Sequence, residues 1–197
     1  LVVSDLGMRG PLMVLSGEQT METVGSRVLT LLKDAGFTVE SLIVGQITYE
    51  EVTRVANAAQ DFGAVLLIAV GGGRVIDIAK IVSYNIDIQF ISVPTAASHD
   101  GIASSRASIH TEEGSISVAA HPPLAIVADT GILASAPRRL TAAGYADTIA
   151  NYTAILDWDM SIRETGEMSS EYATALSMIA AELMVENAET IKEYDEK

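Results

Sequence analysis

Cysteine is absent from the 197 residues. Disulfides, thiolate catalysis and Cys-type zinc sites are thereby excluded, and a reducing, cytoplasmic setting is expected. Basic residues are scarce, with 12 Lys and Arg against 26 Asp and Glu for a net charge of −14. The basic patch that duplex binding needs is missing, so nucleic acid is not an expected partner. An acidic surface also repels a phosphorylated ligand at long range. Such a ligand would need local donors: helix N-termini, Gly-rich turns, or an Arg or Lys in the pocket. Aromatics make up only 5%, which leaves Val, Ile, Leu, Ala and Met to build the core. No apolar run approaches the roughly 18 residues of a membrane span, and no basic-then-apolar signal segment is visible. Hydrophobic residues, at 49% against 19% charged, are ample for a buried core. The length suits one large domain, or one domain and part of another. Opening at Leu1 without an initiator Met, and closing just after a long helical pattern, the chain is read as part of a longer protein.

Apolar runs alternate with helical patterns. Pro11 to Ser16, Phe37 to Val44, Ala64 to Val70 and Gln89 to Val93 read as buried strands. Between them lie helices from Gln19 to Ala35 (Val24, Val28, Leu31 and Leu32 on one face, Gly36 as cap), from Thr48 to about Asp61, and from Val75 to Tyr84. Thr48 and Glu51 have the spacing of a capping box. Continuously apolar strands alternating with helices predict a parallel sheet covered on both faces, a Rossmann-like α/β domain. Ser105 to Ile109 and Ser115 to Ala119 alternate around Glu113-Gly114 as a β-hairpin insertion, and Leu124 to Ala128 is a further strand. After Pro137 the texture becomes Ala-rich and helical, from Arg138 to about Asp159 and from Ser169 to about Tyr194. The expected division is 1–134 for the α/β domain and 135–197 for the beginning of an all-α domain.

Three segments could carry chemistry. In Val70 to Lys80 a strand feeds Gly71-Gly72-Gly73, which opens a helix. Glycines let a backbone approach a ligand, and the helix N-terminus offers free N–H groups to a pyrophosphate. The plainer alternative is a tight turn. Val93 to Ser105 follows another strand C-terminus, the edge at which open α/β sheets bind ligands. Thr95, Ser98 and Ser104 can donate to a cofactor there and Asp100 can accept from substrate hydroxyls, unless Asp100 only caps a turn. Asp147, in the Ala- and Ile-rich stretch Gly144 to Tyr152, is expected to be half-buried with a metal, Arg or Ser partner. His99, His110 and His121 match no metal-binding spacing. Of these, His110 is expected to be exposed beside the hairpin turn and His121 to be structural, leaving His99 as the only site candidate.

Taken together, GGGRVIDIAK (71 to 80), SVPTAASHDGIASSRASI (92 to 109) and HPPLAIVADTGILASAPRRLTAAGYADTIANYTAILDW (121 to 158) resemble the iron-containing alcohol dehydrogenase and dehydroquinate synthase superfamily. Within it they are most similar to the archaeal-type glycerol-1-phosphate dehydrogenases, from about Gly10 onward. The resemblance implies NAD- or NADP-dependent, zinc-assisted hydride transfer between dihydroxyacetone phosphate and sn-glycerol 1-phosphate, for phospholipid backbones. It further implies that Gly73, Arg74, Val75, Ile76 and Asp77 wrap the cofactor pyrophosphate and that Thr95 and Ser98 bind the cofactor. Ser104 would lie near the nicotinamide and Asp100 would bind the glycerol phosphate. Asp147 would be the catalytic residue, ligating zinc beside the substrate.

The family completes its metal site with two later His. None follows His121 here, so those ligands, and about twenty N-terminal residues, are expected outside this chain, which alone is expected to be inactive. Ser16-Gly17-Glu18 stands where related enzymes often carry an acidic ribose-binding residue. Gly17 leaves room for a 2′-phosphate and Glu18 disfavours one, so NADH and NADPH both stay open. The competing readings are a glycerol dehydrogenase, a dehydroquinate synthase-like enzyme, and a non-catalytic dinucleotide-binding subunit. The apolar helix face from Tyr172 to Ile191 points to a homo-oligomer.

Overall fold

The computed structural model describes residues 1–194. They form two compact units: Leu1–Ala96 with Gly101–Ser135, and Ala97–Asp100 with the helices after Ala136. The linear division expected from composition did not anticipate that Ala97–Asp100 groups with the helices.

The first unit opens with α1 (Val2–Asp5) and contains a five-stranded parallel sheet of β1 (Leu12–Ser16), β2 (Val39–Ile43), β3 (Leu66–Gly71), β4 (Gln89–Pro94) and β7 (Ala125–Ile126), ordered β2-β1-β3-β4-β7. Strand alternation sorts the core into two layers. Met13, Leu15, Leu67 and Ala69 face α4 (Tyr49–Phe62) and α5 (Gly73–Asn85), with Val55, Ile76 and Ile78 beneath. Leu12, Val14, Leu66, Ile68 and Val70 face the opposite layer, with Val24 and Leu32. Every residue of β1 and β3 is buried, which is why neither strand shows a polar face in the sequence. β5 (Arg106–Thr111) and β6 (Gly114–Ala119) pair antiparallel as the expected hairpin, and Ala107 and Ile109 enter the α5 layer. α6 (Thr130–Ala134) closes the unit, capped by the Asp129 carboxylate.

Several elements differ from expectation. The helix after β1 comprises α2 (Glu18–Thr20), a π-helical turn (Met21–Gly25) and α3 (Ser26–Asp34). Gly25 lies inside the wide turn with no room for a side chain, since an added Cβ would meet Met21 Sδ at 2.7 Å. Widening shifts the helical phase, so Leu31 is exposed while Leu32 is buried. Gly36 does adopt the left-handed conformation of a helix stop, at φ +86°. The capping box at α4 is half made. Thr48 Oγ1 accepts from Glu51 N–H, but the Glu51 carboxylate turns away, accepting from Gly45 N–H at 2.6 Å and from Arg54. β7 is shorter than expected, although Leu124 and Val127 still donate to Phe90 and Ser92 of β4.

The second unit consists of α7 (Arg138–Ile149), α8 (Asn151–Thr165), α9 (Glu171–Glu186) and α10 (Ala188–Tyr194). The single helix expected from Arg138 to Asp159 breaks at Ala150, where Thr148 and Thr153 turn their hydroxyls onto the carbonyls of Gly144 and Ala150. α9 packs on both α7 and α8 and exposes Tyr172, Leu176, Ile179 and Leu183 at helical spacing. No helix among the described residues is long and apolar enough to cross a membrane.

Candidate functional site

The chain leaves β1 toward β2 on one side of the sheet, and β3 lies on the other. This makes the carboxyl ends of β1 and β3 a topological switch point, where open α/β sheets form a crevice. A cleft of about 480 Å³ lies there, lined by Gly17, Glu18, Gln19 and Thr20 after β1, by Ile43, Val44 and Gly45 at the end of β2, and by Arg74. The turn after β1 is tied down from below. Ser16, fully buried, bonds Val70 O at 2.8 Å and the Thr20 hydroxyl at 2.8 Å, and Thr20 Oγ1 accepts from Gly17 N–H.

On the β3 side the glycines differ in role. Gly71 is buried against Val75, whose Cγ2 would stand 2.6 Å from an added Cβ. A side chain at Gly72 would project into open space, and Gly72 starts α5 without a capping side chain. An uncapped 13-residue helix beneath an open glycine suits an anion of pyrophosphate size. Gly73 is half-buried and Arg74 is exposed. Val75 and Ile76 have side chains buried in the core, so only their backbone can serve a ligand.

The Asp77 carboxylate is engaged within the fold. Its Oδ1 accepts from Lys80 Nζ at 3.1 Å and its Oδ2 from Ser108 N–H of β5 at 3.0 Å. Lys80 is fully buried and also donates to Gly101 O, to Ser104 Oγ at 3.2 Å and to Arg106 O at 2.8 Å. Ser104 is therefore engaged with Lys80 and with the Arg106 carbonyl, where the resemblance implied a nicotinamide contact. Thr95 is half-buried and donates its backbone N–H to Gly71 O.

In the second unit, Ala97–Asp100 rests on α7 at Gly144. A Cβ there would lie 2.0 Å from Ala97 O. This approach brings Asp100 N–H to 2.8 Å from Asp147 Oδ2. Asp147 is exposed, not half-buried as expected, and one of its carboxylate oxygens accepts from this backbone amide. The helix turns that residue outward while Gly144, one turn earlier, takes the buried position. Ser98 and His99 are half-buried on the same segment. His110 is exposed, with Nδ1 on Ser115 Oγ at 2.7 Å, and His121 stacks edge-on against Tyr84 at 5.2 Å. Among the described residues no three His, Asp or Glu side chains cluster to hold a metal.

Sequence reasoning missed Lys80, Thr20, Gly45 and Gly144. Two had a readable sign: Lys80 is a lone cation in the apolar run Ile78 to Val82, and Gly144 is a glycine within a helical pattern.

At the cleft edge, hydrogen bonds from Arg54 hold the Glu51 carboxyl below the usual carboxylate range. Burial opposes this, while Gly45 N–H and the charge of Arg74 reinforce it. A depressed folded-state pKa adds stability that is present above the unfolded value and lost as pH falls through the folded one. Glu51→Gln should therefore lower stability near neutral pH by about 1 kcal/mol, a modest figure because Arg54 is partly exposed. In thermal melts the gap from wild type should close below about pH 4; a gap constant with pH would show that the charge contributes nothing.

Residues 1–137 match the family described as iron-containing alcohol dehydrogenase, and the chain belongs to that family. Two relatives lie closer in sequence. The chain is 70% identical over 99% of its length to a glycerol-1-phosphate dehydrogenase [NAD(P)+] of Methanocorpusculum labreanum, and 53% identical over its whole length to one of Methanosphaerula palustris. It spans 54% of each, about half the length of these curated relatives. Among solved structures, a probable glycerol dehydrogenase from Sinorhizobium meliloti superposes with a TM-score of 0.79 at 24% identity, over 95% of this chain and 52% of that one. The NADH-dependent butanol dehydrogenase A of Thermotoga maritima gives 0.74 at 19%, over 97% and 52%. At these identities the likeness speaks for the fold, an α/β domain followed by helices.

Proposed function

We propose that this chain forms the cofactor-binding unit and the adjoining helices of an NAD(P)-linked dehydrogenase that interconverts dihydroxyacetone phosphate and sn-glycerol 1-phosphate. The observation that carries this reading is the 70% identity, across nearly the whole chain, to a relative named for that activity. The geometry supports it. Gly72 and the uncapped start of α5 suit a pyrophosphate, and the cleft beside them has the volume and position for an adenosine half. When bound, the nicotinamide would supply or accept the hydride.

The protein's own task is placement. The glycine turn admits the cofactor backbone, using the N–H groups of Gly73 to Ile76. The Lys80–Asp77 pair holds Gly101 to Arg106 and the hairpin against α5. Thr95, Ser98 and Asp100 follow the carboxyl end of β4 in the chain, with Asp100 and Asp147 offered to the polyol. Asp100 N–H orients Asp147 by engaging Oδ2. Zinc is the proposed metal and Asp147 one of its ligands. The described residues do not make a metal site by themselves, since no three His, Asp or Glu side chains cluster among them. A cytoplasmic location and a homo-oligomer belong to the same proposal, the latter supported by the apolar face exposed on α9.

The deciding assay is NADPH or NADH oxidation with dihydroxyacetone phosphate, with and without a chelator, followed by stereochemical analysis of the product. Chelator-sensitive turnover to sn-glycerol 1-phosphate is expected. Turnover only with unphosphorylated dihydroxyacetone would overturn the substrate and favour a glycerol dehydrogenase, the name carried by a Schizosaccharomyces pombe protein whose structure is 26% identical to this chain, with a TM-score of 0.68 over 73% of this chain and 37% of that one.

A further inference from the structure

We infer that Arg74 reads the 2′-phosphate of NADP(H), in space that Gly17 leaves open, and so sets the choice between the two nicotinamide cofactors; this rests on the cofactor reading proposed above. The cleft is the part of the crevice beyond the glycine turn, bounded by the ends of β1 and β2, so it would receive the adenosine ribose while the pyrophosphate sits at Gly72. Within it, Gly17 and Arg74 come together from different strand ends. An added Cβ at Gly17 would lie 3.2 Å from Arg74 Nη2, so the volume directly over Gly17 is faced by a guanidinium. No atom of that side chain lies within 4 Å of a Cβ built at Gly72, so the guanidinium stands nearer Gly17 than the open position at Gly72.

The cation is also available. Among the described residues Arg74 forms no ion pair, whereas nearby Arg54 is committed to both oxygens of Glu51 and to Ile43 O. In a chain of net charge −14, with Glu18 on the cleft wall, a phosphate dianion needs a local cation, whereas a bare 2′-hydroxyl needs only an acceptor. Glu18 offers that acceptor. One cleft thus contains a partner for either cofactor: Glu18 for the 2′-hydroxyl and Arg74 for the 2′-phosphate. Gly17 has φ −77° and ψ 164°, a conformation open to any residue, so its lack of a side chain matters for space and not for backbone freedom.

The test uses nucleotide fragments, so it does not depend on turnover. Binding of adenosine 2′,5′-bisphosphate and of adenosine 5′-monophosphate to the chain is measured by calorimetry for wild type, Arg74→Ala and Gly17→Asp. Wild type is expected to prefer the bisphosphate. Arg74→Ala should weaken it roughly tenfold or more while leaving the monophosphate within about twofold, as for loss of one charge-assisted bond. Gly17→Asp, whose carboxylate would fill the phosphate space and pair with Arg74, should abolish the preference by a second route. Equal weakening of both nucleotides by Arg74→Ala would place Arg74 on the shared 5′-phosphate and overturn the inference. No change in either would overturn it too. If wild type binds neither nucleotide, the cofactor reading itself falls.

Discussion

Lys80→Met is expected to destabilise the first unit by about 3–5 kcal/mol, the size associated with removing one partner of a buried ion pair. Methionine keeps most of the stem volume, so packing changes little and the loss falls on the polar contacts. Those contacts are concentrated. One fully buried ammonium satisfies Asp77 Oδ1, the Gly101 and Arg106 carbonyls and the Ser104 hydroxyl. Without it, a carboxylate only 13% exposed and two carbonyls lose their donor. Desolvation of the abandoned groups, more than the attraction lost, sets the magnitude. Lys80→Arg would not rescue the site, because a planar guanidinium does not fit acceptors gathered around a compact ammonium. Chemical denaturation of wild type, Lys80→Met, Asp77→Asn and the double variant gives the coupling directly. The double variant should lose less than the sum of the singles, since each single leaves a partner stranded. A Lys80→Met loss below about 1 kcal/mol would mean that solvent reaches Nζ and that the site is not closed.

The same residue shows where sequence reasoning stops. The parallel sheet was legible because β1 and β3 are buried on both sides and their apolar runs needed no other explanation. The hairpin was legible because Ala107 and Ile109 alternate with exposed neighbours across a short turn. The network around Lys80 joins residues up to 31 positions apart, and no periodicity encodes such a meeting. The resemblance implied a cofactor role for Asp77, but no pattern in the sequence announced that its carboxylate accepts from Lys80 and from Ser108 N–H. Glu51 misled in the opposite direction. The capping-box spacing was present, but Arg54 and Gly45 compete for its carboxylate more strongly than the helix start does. The π-helical turn was hidden for a related reason: a wider turn leaves composition unchanged and shows only as Leu31 exposed while Leu32, expected on the same face, is buried.

Gly144→Ala should also have a large effect, and its sign separates local preference from tertiary contact. In an isolated helix the change would stabilise by about 1 kcal/mol, because alanine is the better helix former. Here the added Cβ would stand 2.0 Å from Ala97 O, 2.9 Å from Ala97 C and 3.2 Å from Ser98 C. All three are backbone atoms, so no side chain can swing aside, and α7 or the Ala97–Asp100 segment must move by more than an ångström. A displacement of that size outweighs the propensity gain, and a net loss of about 1–3 kcal/mol is expected. The bond from Asp100 N–H to Asp147 Oδ2, at 2.8 Å, would not survive it. Hydrogen exchange reads this at one amide: Asp100 should exchange roughly tenfold faster in Gly144→Ala, as for loss of about 1.4 kcal/mol of local protection. Asp147→Ala, which removes the acceptor without crowding the segment, should give the same acceleration at Asp100 with little change in melting temperature. A Gly144→Ala chain that melts higher and keeps Asp100 protected would show that the close approach of α7 to this segment is not maintained in solution. The two aspartates proposed to meet the substrate would then lack the contact that sets one against the other.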